Sequence, residues 1–183
     1  MQRIGADRWK RIAFELIFVA VLGVLIALDQ ITKHHFSTSY SYGEKKSIID
    51  DFFYFTYTLN TGAAWSFLSG VSWAQTFFKV LTSVALLMFV LFYLYAAKKN
   101  YKWLRVALVF VVAGTLGNFI DRLTMNAVVD FIGFIFGSYY FPVFNLADNF
   151  LVVGVIMLVV HYLFIDASAV FKKKDASKEV SDK

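Results

Sequence analysis

The sequence contains no cysteine among its 183 residues. This absence excludes disulfide bonds, a thiolate nucleophile, a metal site with cysteine ligands and a dithiol redox relay. A four-helix thiol oxidoreductase is therefore excluded. The three histidines, His34, His35 and His161, do not have the spacing of metal ligands. We predict neither a metal site nor a cofactor.

Apolar residues are abundant in the chain. They make up 59% of it, with 19% aromatic residues and a mean hydropathy of +0.62, against roughly 45 to 50% apolar residues in soluble domains. A helix that crosses a bilayer needs roughly 17 to 25 residues. The sequence predicts four spans, at Ile12 to Leu28, Gln75 to Ala97, Trp103 to Ile120 and Leu146 to Ile165. We expect the first to be an uncleaved signal anchor, because no A-x-A-like cleavage site follows it.

Basic residues cluster beside the predicted spans. Thirteen of the eighteen lysines and arginines lie before span one, around the turn between spans two and three, or after span four. The positive-inside rule then predicts that both termini are cytoplasmic and that the connections 29 to 74 and 121 to 145 face outward. This distribution explains the net charge of +5 by membrane orientation, so no nucleic-acid partner is expected.

The outer connections have strand character. Residues 47 to 67 mix β-branched and aromatic residues and include a turn-forming "NTG", and "AVVDFIGFIF" after span three is similar. We predict a polytopic α-helical membrane protein with four transmembrane helices and a small extracytoplasmic β-element. Residues 1–170 would form a single domain, and the charged segment 171–183 a disordered cytoplasmic tail.

Polar residues gather at one level of this topology. Span three ends outside and span four begins there, so their outer ends bring together Asn118, Asp121, Arg122, Asp130, Asn145 and Asp148, with Asp29 and Lys33 where span one ends. Ionisable groups at membrane depth are costly and usually functional.

Local spacing assigns some of these residues a structural role as well. Gly114, Gly117, Asn118 and Asp121 are three or four residues apart and share one helix face, where the glycines allow close packing. Asn145 is suited to cap span four, with Asp148 at the third helical position.

Two close carboxylates can perform aspartic peptidase chemistry, in which one activates water and the other, protonated, polarises a peptide carbonyl. The residues leave open whether Asp121 or Asp130 is the partner of Asp148. Asp130 could also be a loop carboxylate that faces water. If Asp130 is the partner, its apolar neighbours predict that it holds the proton, whereas the helix N-terminus favours an ionised Asp148.

Other functional classes are compatible with parts of the pattern. A channel or transporter subunit would use the carboxylates and Arg122 to relay protons or bind ions, but it would place polar residues at midplane in several spans. A scaffold could recognise lipid without chemistry. A rhomboid-like serine peptidase is disfavoured, because no G-x-S-x-G-type serine accompanies a suitable histidine.

Five motifs together resemble one family. They are "LDQITK" (28–33), "NTGAAWSF" (60–67), "GTLGNFIDRL" (114–123), "VVDFI" (128–132) and "FNLAD" (144–148), in order along nearly the whole chain. This set is similar to the bacterial lipoprotein signal peptidases, also called signal peptidase II. The resemblance implies an aspartic endopeptidase of the bacterial cytoplasmic membrane that cuts prolipoproteins before the diacylglyceryl-modified cysteine.

The resemblance also implies residue roles. The catalytic pair would be Asp130 and Asp148. The residues Asn60, Gly62, Asn118, Arg122 and Asn145 would line the substrate site, with Asp121, Asp29 and Lys33 as supports. The expected partners are diacylglyceryl-modified prolipoproteins and membrane lipid, and a monomer is expected, with the active site on the extracytoplasmic side.

Overall fold

The computed structural model of the protein describes residues 2–62, 68 and 70–166. The elements follow in the order α1 (Gln2–Ser39), β1 (Lys45–Ile49), β2 (Phe53–Asn60), α2 (Ala74–Lys98), α3 (Lys102–Met125), β3 (Val128–Phe136), β4 (Tyr139–Tyr140) and α4 (Leu146–Val160), which continues as a π-helical segment, His161–Asp166. The expected tail 171–183 and residues 63–67 of the second motif lie outside the described residues.

Four of these helical segments are long and apolar enough to cross a membrane, which confirms the predicted number of spans. Their bounds are Ile12–Ser39, Ala74–Lys98, Lys102–Met125 and Leu146–Phe164. The predicted end of span one at Leu28 is wrong, because the helix continues through the polar residues that follow. Asp29 and Lys33 are buried inside α1, where they find partners on other helices.

Helix α3 is the centre of the bundle. It packs against α1, α2 and α4, and 61% of its most apolar window is buried, compared with 6% to 17% for the other spans. Gly114 and Gly117 face α4 and α1 so closely that a methyl group at either position would collide with Ala147 or Asp29. The packing role predicted for these glycines is confirmed.

The connections between α1 and α2 and between α3 and α4 form one antiparallel sheet in the order β1-β2-β3-β4. Strand β2 pairs with β3, with Thr58 opposite Asp130 and a register irregularity between Phe55 and Thr58. Phe36 at the end of α1 stacks on Phe131, 4.3 Å between ring centroids, and so fixes the sheet to the bundle. The predicted β-element is confirmed, and it includes Asp130.

A polar contact far from the sheet joins three helices. Arg105 of α3 is 2% exposed and pairs with Glu15 of α1 at 2.6 Å, and it donates a hydrogen bond to the Tyr93 hydroxyl of α2 at 2.9 Å. Rings of Phe14 and Phe18 pack on its guanidinium. Local sequence does not predict this pair, since each charge alone resembles an ordinary helix-end residue.

Candidate active site

Asp130 is held on strand β3 by two asparagine side chains. Its Oδ1 accepts a hydrogen bond from Asn145 Nδ2 at 2.7 Å, and its Oδ2 accepts one from Asn60 Nδ2 at 3.1 Å. The residue is 3% exposed, so the reading of Asp130 as a loop carboxylate facing water is wrong. Burial raises the pKa of the Asp130 carboxyl to about 7, and the negative charge of Asp148 contributes to that increase.

Asp148 lies at the third position of α4 and completes a reciprocal cap. The side chain of Asn145 accepts from the Asp148 backbone N–H at 3.0 Å, and Asp148 Oδ2 accepts from the Asn145 backbone N–H at 3.1 Å. Asp148 Oδ1 accepts from Asn118 Nδ2 at 2.7 Å. The cap predicted from sequence is therefore present, and it fixes the carboxylate at the start of the helix.

Asn145 connects the two carboxylates. Its amide nitrogen donates to Asp130 Oδ1, to Asn118 Oδ1 at 3.0 Å and to the Val129 carbonyl at 3.2 Å, while its amide oxygen serves the cap. The residue is fully buried. One side chain thus sets the position of α4 relative to β3.

Behind Asn118 lies a buried cluster of three charges. Lys33 Nζ lies 2.9 Å from Asp29 Oδ2, 2.9 Å from Asp121 Oδ2 and 2.9 Å from Asn118 Oδ1. Asp121 Oδ2 also accepts from the Val129 backbone N–H at 3.1 Å, and Asp29 Oδ1 accepts from the Ala147 N–H at 2.9 Å. The cluster therefore joins α1 and α3 to the first residues of β3 and α4.

Gln30 also belongs to this cluster, although its role was not predicted from the sequence. Its side chain donates to Asp121 Oδ1 at 3.1 Å and to the Gly117 carbonyl at 3.1 Å. Its place one residue after Asp29, inside the first motif, is the only sign of it in the sequence.

Arg122 is held near the carboxylates by two contacts. Its Nη2 donates to the Gly62 carbonyl at 3.3 Å, and its guanidinium lies 5.3 Å from the centroid of the Phe78 ring. Gly62 is positioned in turn, because its N–H donates to Asn60 Oδ1 at 2.9 Å. Phe78, on α2, is a second residue that sequence reasoning missed.

Asp130 and Asp148 line one cavity of about 880 Å³. Asn60, Asn118 and Arg122 also line it, and Phe141 to Phe144 form one of its walls. The cavity is further lined by Thr58, Leu59, Thr61, Thr82, Thr115, Val128, Asn149, Leu151 and Val152.

Asp29, Lys33 and Asp121 stand behind this cavity without lining it. Among the described residues, no three histidine, aspartate or glutamate side chains are grouped so that they could hold a metal ion. The arrangement offers two neighbouring carboxylates, amide donors and one guanidinium to a ligand, which are groups suited to hydrolysing a polar bond.

Comparison with known proteins identifies the family. Residues 7–164 match the family model described as signal peptidase (SPase) II. The chain belongs to the signal peptidase II family. The curated relatives include the lipoprotein signal peptidase of Bacillus pumilus, 42% identical over 148 residues, which are 81% of this chain and 93% of the relative.

Other relatives of this signal peptidase II chain have similar extents. The lipoprotein signal peptidase of Staphylococcus carnosus is 41% identical over 155 residues, 85% of this chain and 95% of the relative. A solved structure of a bacterial membrane enzyme is 35% identical and superposes with a TM-score of 0.71, covering 84% of this chain and 90% of that one. Sequence and fold therefore both agree with the resemblance read from the five motifs.

Proposed function

We propose that this signal peptidase II is an aspartic endopeptidase. It removes the signal peptide from prolipoproteins by cleaving before the diacylglyceryl-modified cysteine, with Asp130 and Asp148 as the catalytic pair. The observation that carries the proposal is that these two carboxylates share Asn145 and line one cavity. Asp121, the alternative partner, is instead engaged by Lys33 and the Val129 N–H.

The two carboxylates have different catalytic roles. Asp148, ionised at a helix N-terminus, takes a proton from water as the water oxygen bonds to the scissile carbonyl carbon. Asp130, protonated, donates a hydrogen bond to the carbonyl oxygen and then protonates the leaving nitrogen as the C–N bond breaks. A pKa near 7 for Asp130 supports this division, because the group then holds a proton at neutral pH and can still release it.

The remaining polar groups of the cavity hold the substrate. Arg122 and the amides of Asn60 and Asn118 can donate to the substrate backbone and to the negative charge that develops on the carbonyl oxygen. They are already fixed by contacts within the protein, so little reorganisation is needed when the charge appears.

The proposed placement in the membrane follows from charge and chemistry. Both termini lie in the cytoplasm, and the cavity opens at the outer face, where a lipid-modified cysteine keeps its acyl chains in the bilayer while its peptide bond meets water. Residues 1–170 act as one unit, a monomer that contacts membrane lipid directly.

The test is cleavage of a purified diacylglyceryl-prolipoprotein in detergent containing EDTA. We expect the wild type and Asp51→Asn to cleave, because Asp51 is an exposed turn residue outside the cavity. Asp130→Asn and Asp148→Asn should lose at least about 1,000-fold in rate while still binding the substrate. Cleavage by both variants would refute the assignment and make Asp121 the next candidate. A folded wild type that binds but never cleaves would favour the scaffold.

A further inference from the structure

The three donors of Lys33 are all engaged. Its ammonium has one acceptor on each of three residues, Asp29, Asp121 and Asn118, each at 2.9 Å, and its side chain is 3% exposed. A lysine can only donate hydrogen bonds. The atom of Asn118 that faces Lys33 must therefore be its amide oxygen.

This constraint also determines which amide atom of Asn118 faces Asp148. With its oxygen turned toward Lys33, its nitrogen faces Asp148 Oδ1 at 2.7 Å and must donate to it. Asn145 reinforces the same orientation, since its amide nitrogen donates to the same Asn118 oxygen. Asp148 Oδ2 accepts from the Asn145 backbone N–H, so each oxygen of Asp148 accepts one hydrogen bond, and each of these bonds favours the ionised carboxylate.

We propose that Lys33 is a positioning residue for the catalytic pair, which fixes the orientation of the Asn118 amide and thereby keeps Asp148 as the ionised member. The proposal deepens the proposed function and rests on it. Lys33 touches neither carboxylate of the pair and does not line the cavity. Its effect passes through one amide group.

The charged groups around Asp148 come from three elements besides its own helix. They are Lys33 and Asp29 of α1, Asp121 and Arg122 of α3, and Asp130 of β3. Lys33 and Arg122 are the positive charges of this set, and Asn118 connects only Lys33 to Asp148 by direct hydrogen bonds. The effect of replacing Lys33 can thus be distinguished from the effect of replacing Arg122.

The experiment is the pH profile of kcat/KM for prolipoprotein cleavage by detergent-purified variants of the full chain. Replacing Lys33 alone would leave two buried anions unpaired, so Asp29→Asn is the matched background. In that background Lys33→Gln retains a neutral donor and Lys33→Met retains none. The series therefore changes charge and donor capacity in separate steps.

We expect the acidic limb to move to higher pH by about one unit in Lys33→Met with Asp29→Asn, relative to Asp29→Asn alone. Without Lys33 the Asn118 amide is no longer held with its nitrogen toward Asp148, so the ionised carboxylate loses that donor. Lys33→Gln in the same background should move less, and Asp29→Asn alone provides the reference profile from which both shifts are measured. A folded methionine variant whose rate falls with an unchanged profile would assign Lys33 a merely structural role and overturn the proposal.

Asn118→Leu provides a second route if the methionine variant does not fold. It removes the amide but leaves Lys33 with both of its carboxylate partners, so the proposal requires the same shift of the acidic limb. An unshifted profile in Asn118→Leu would overturn it. Asp130→Asn and Asp148→Asn are assayed beside these variants, and if they still cleave, the proposed function itself fails whatever Lys33 does.

Discussion

Adding one methyl group at Gly114 should disturb the active site by displacing helix α4. A β-carbon at this position would lie 2.7 Å from Leu151 Cγ and 2.8 Å from the Leu151 backbone nitrogen, and closer still to the Ala147 carbonyl oxygen. Backbone atoms cannot rotate away as a side chain can. Helix α4 would have to move by more than about 1 Å for the Ala147 carbonyl oxygen to reach an ordinary contact distance.

The expected loss of rate follows from the displacement of Asp148, which moves together with α4. Ala147 precedes Asp148, so a shift of α4 displaces one carboxylate relative to Asp130 on β3. A misplacement of about 1 Å can cost on the order of 100-fold in rate, so we expect Gly114→Ala to lose about 10- to 100-fold in kcat. Overpacking of this kind also destabilises a protein by about 1 to 3 kcal/mol.

Two glycines provide matched controls. A methyl at Gly154 would lie 2.8 Å from the Val111 backbone nitrogen at the same α3–α4 interface, but six residues, or about 9 Å, along α4 from Asp148. A methyl at Gly23 has nothing within 4 Å. Gly154→Ala should lower the midpoint of thermal unfolding as much as Gly114→Ala with a smaller loss of rate, and Gly23→Ala should change neither.

The assay combines the initial rate of prolipoprotein cleavage, at equal amounts of folded enzyme, with thermal unfolding in the same detergent. A Gly114→Ala enzyme with the wild-type rate would show that α4 does not carry Asp148 out of position. Equal rate losses in Gly114→Ala and Gly154→Ala would show that the loss reflects general loosening of the bundle.

Three further predictions concern separate groups. Because Asp130 holds its proton below a pKa of about 7 and releases it above, kcat/KM should fall as pH rises through about 7, and a rate still rising there would contradict the acid role. Phe78→Leu should raise KM several-fold with little change in the pH profile, since it removes the ring that supports Arg122; an unchanged KM would exclude that support. Glu15→Ala should lower the unfolding midpoint, because it leaves the buried charge of Arg105 unpaired, and adding Arg105→Met should restore most of the loss at an unchanged rate per folded molecule.

The parts of the fold that the sequence predicts are those with short-range causes. Apolar runs predict four spans because the bilayer thickness sets their length. The Asn145 and Asp148 cap is visible at a spacing of three residues. The strands around Asp130 are indicated by their β-branched and aromatic residues.

The features that could not be predicted from the sequence depend on contacts between residues far apart in the chain. Asp29 and Lys33 are buried in α1 past Leu28 because they pair with each other and also bond to groups of α3 and α4, 85 or more residues away. A local hydropathy pattern registers only that these two residues are charged, so it predicts that the span ends before them. Phe78 likewise has nothing in its own neighbourhood that marks it as the support of Arg122 on another helix, and the pairing of Thr58 with Asp130 is equally invisible to local patterns.

The double use of Asn145 bears on when the protein becomes active during its own synthesis. The same amide group caps the last membrane helix and holds Asp130 of the sheet, so the proposed site cannot be completed by a chain that ends before α4. While α4 is still emerging from the ribosome, Asp130 lacks both its second carboxylate and one of its two amide donors. Proteolytic competence thus arrives with insertion of the final helix, and an unfinished peptidase has no working site to expose to the membrane around it.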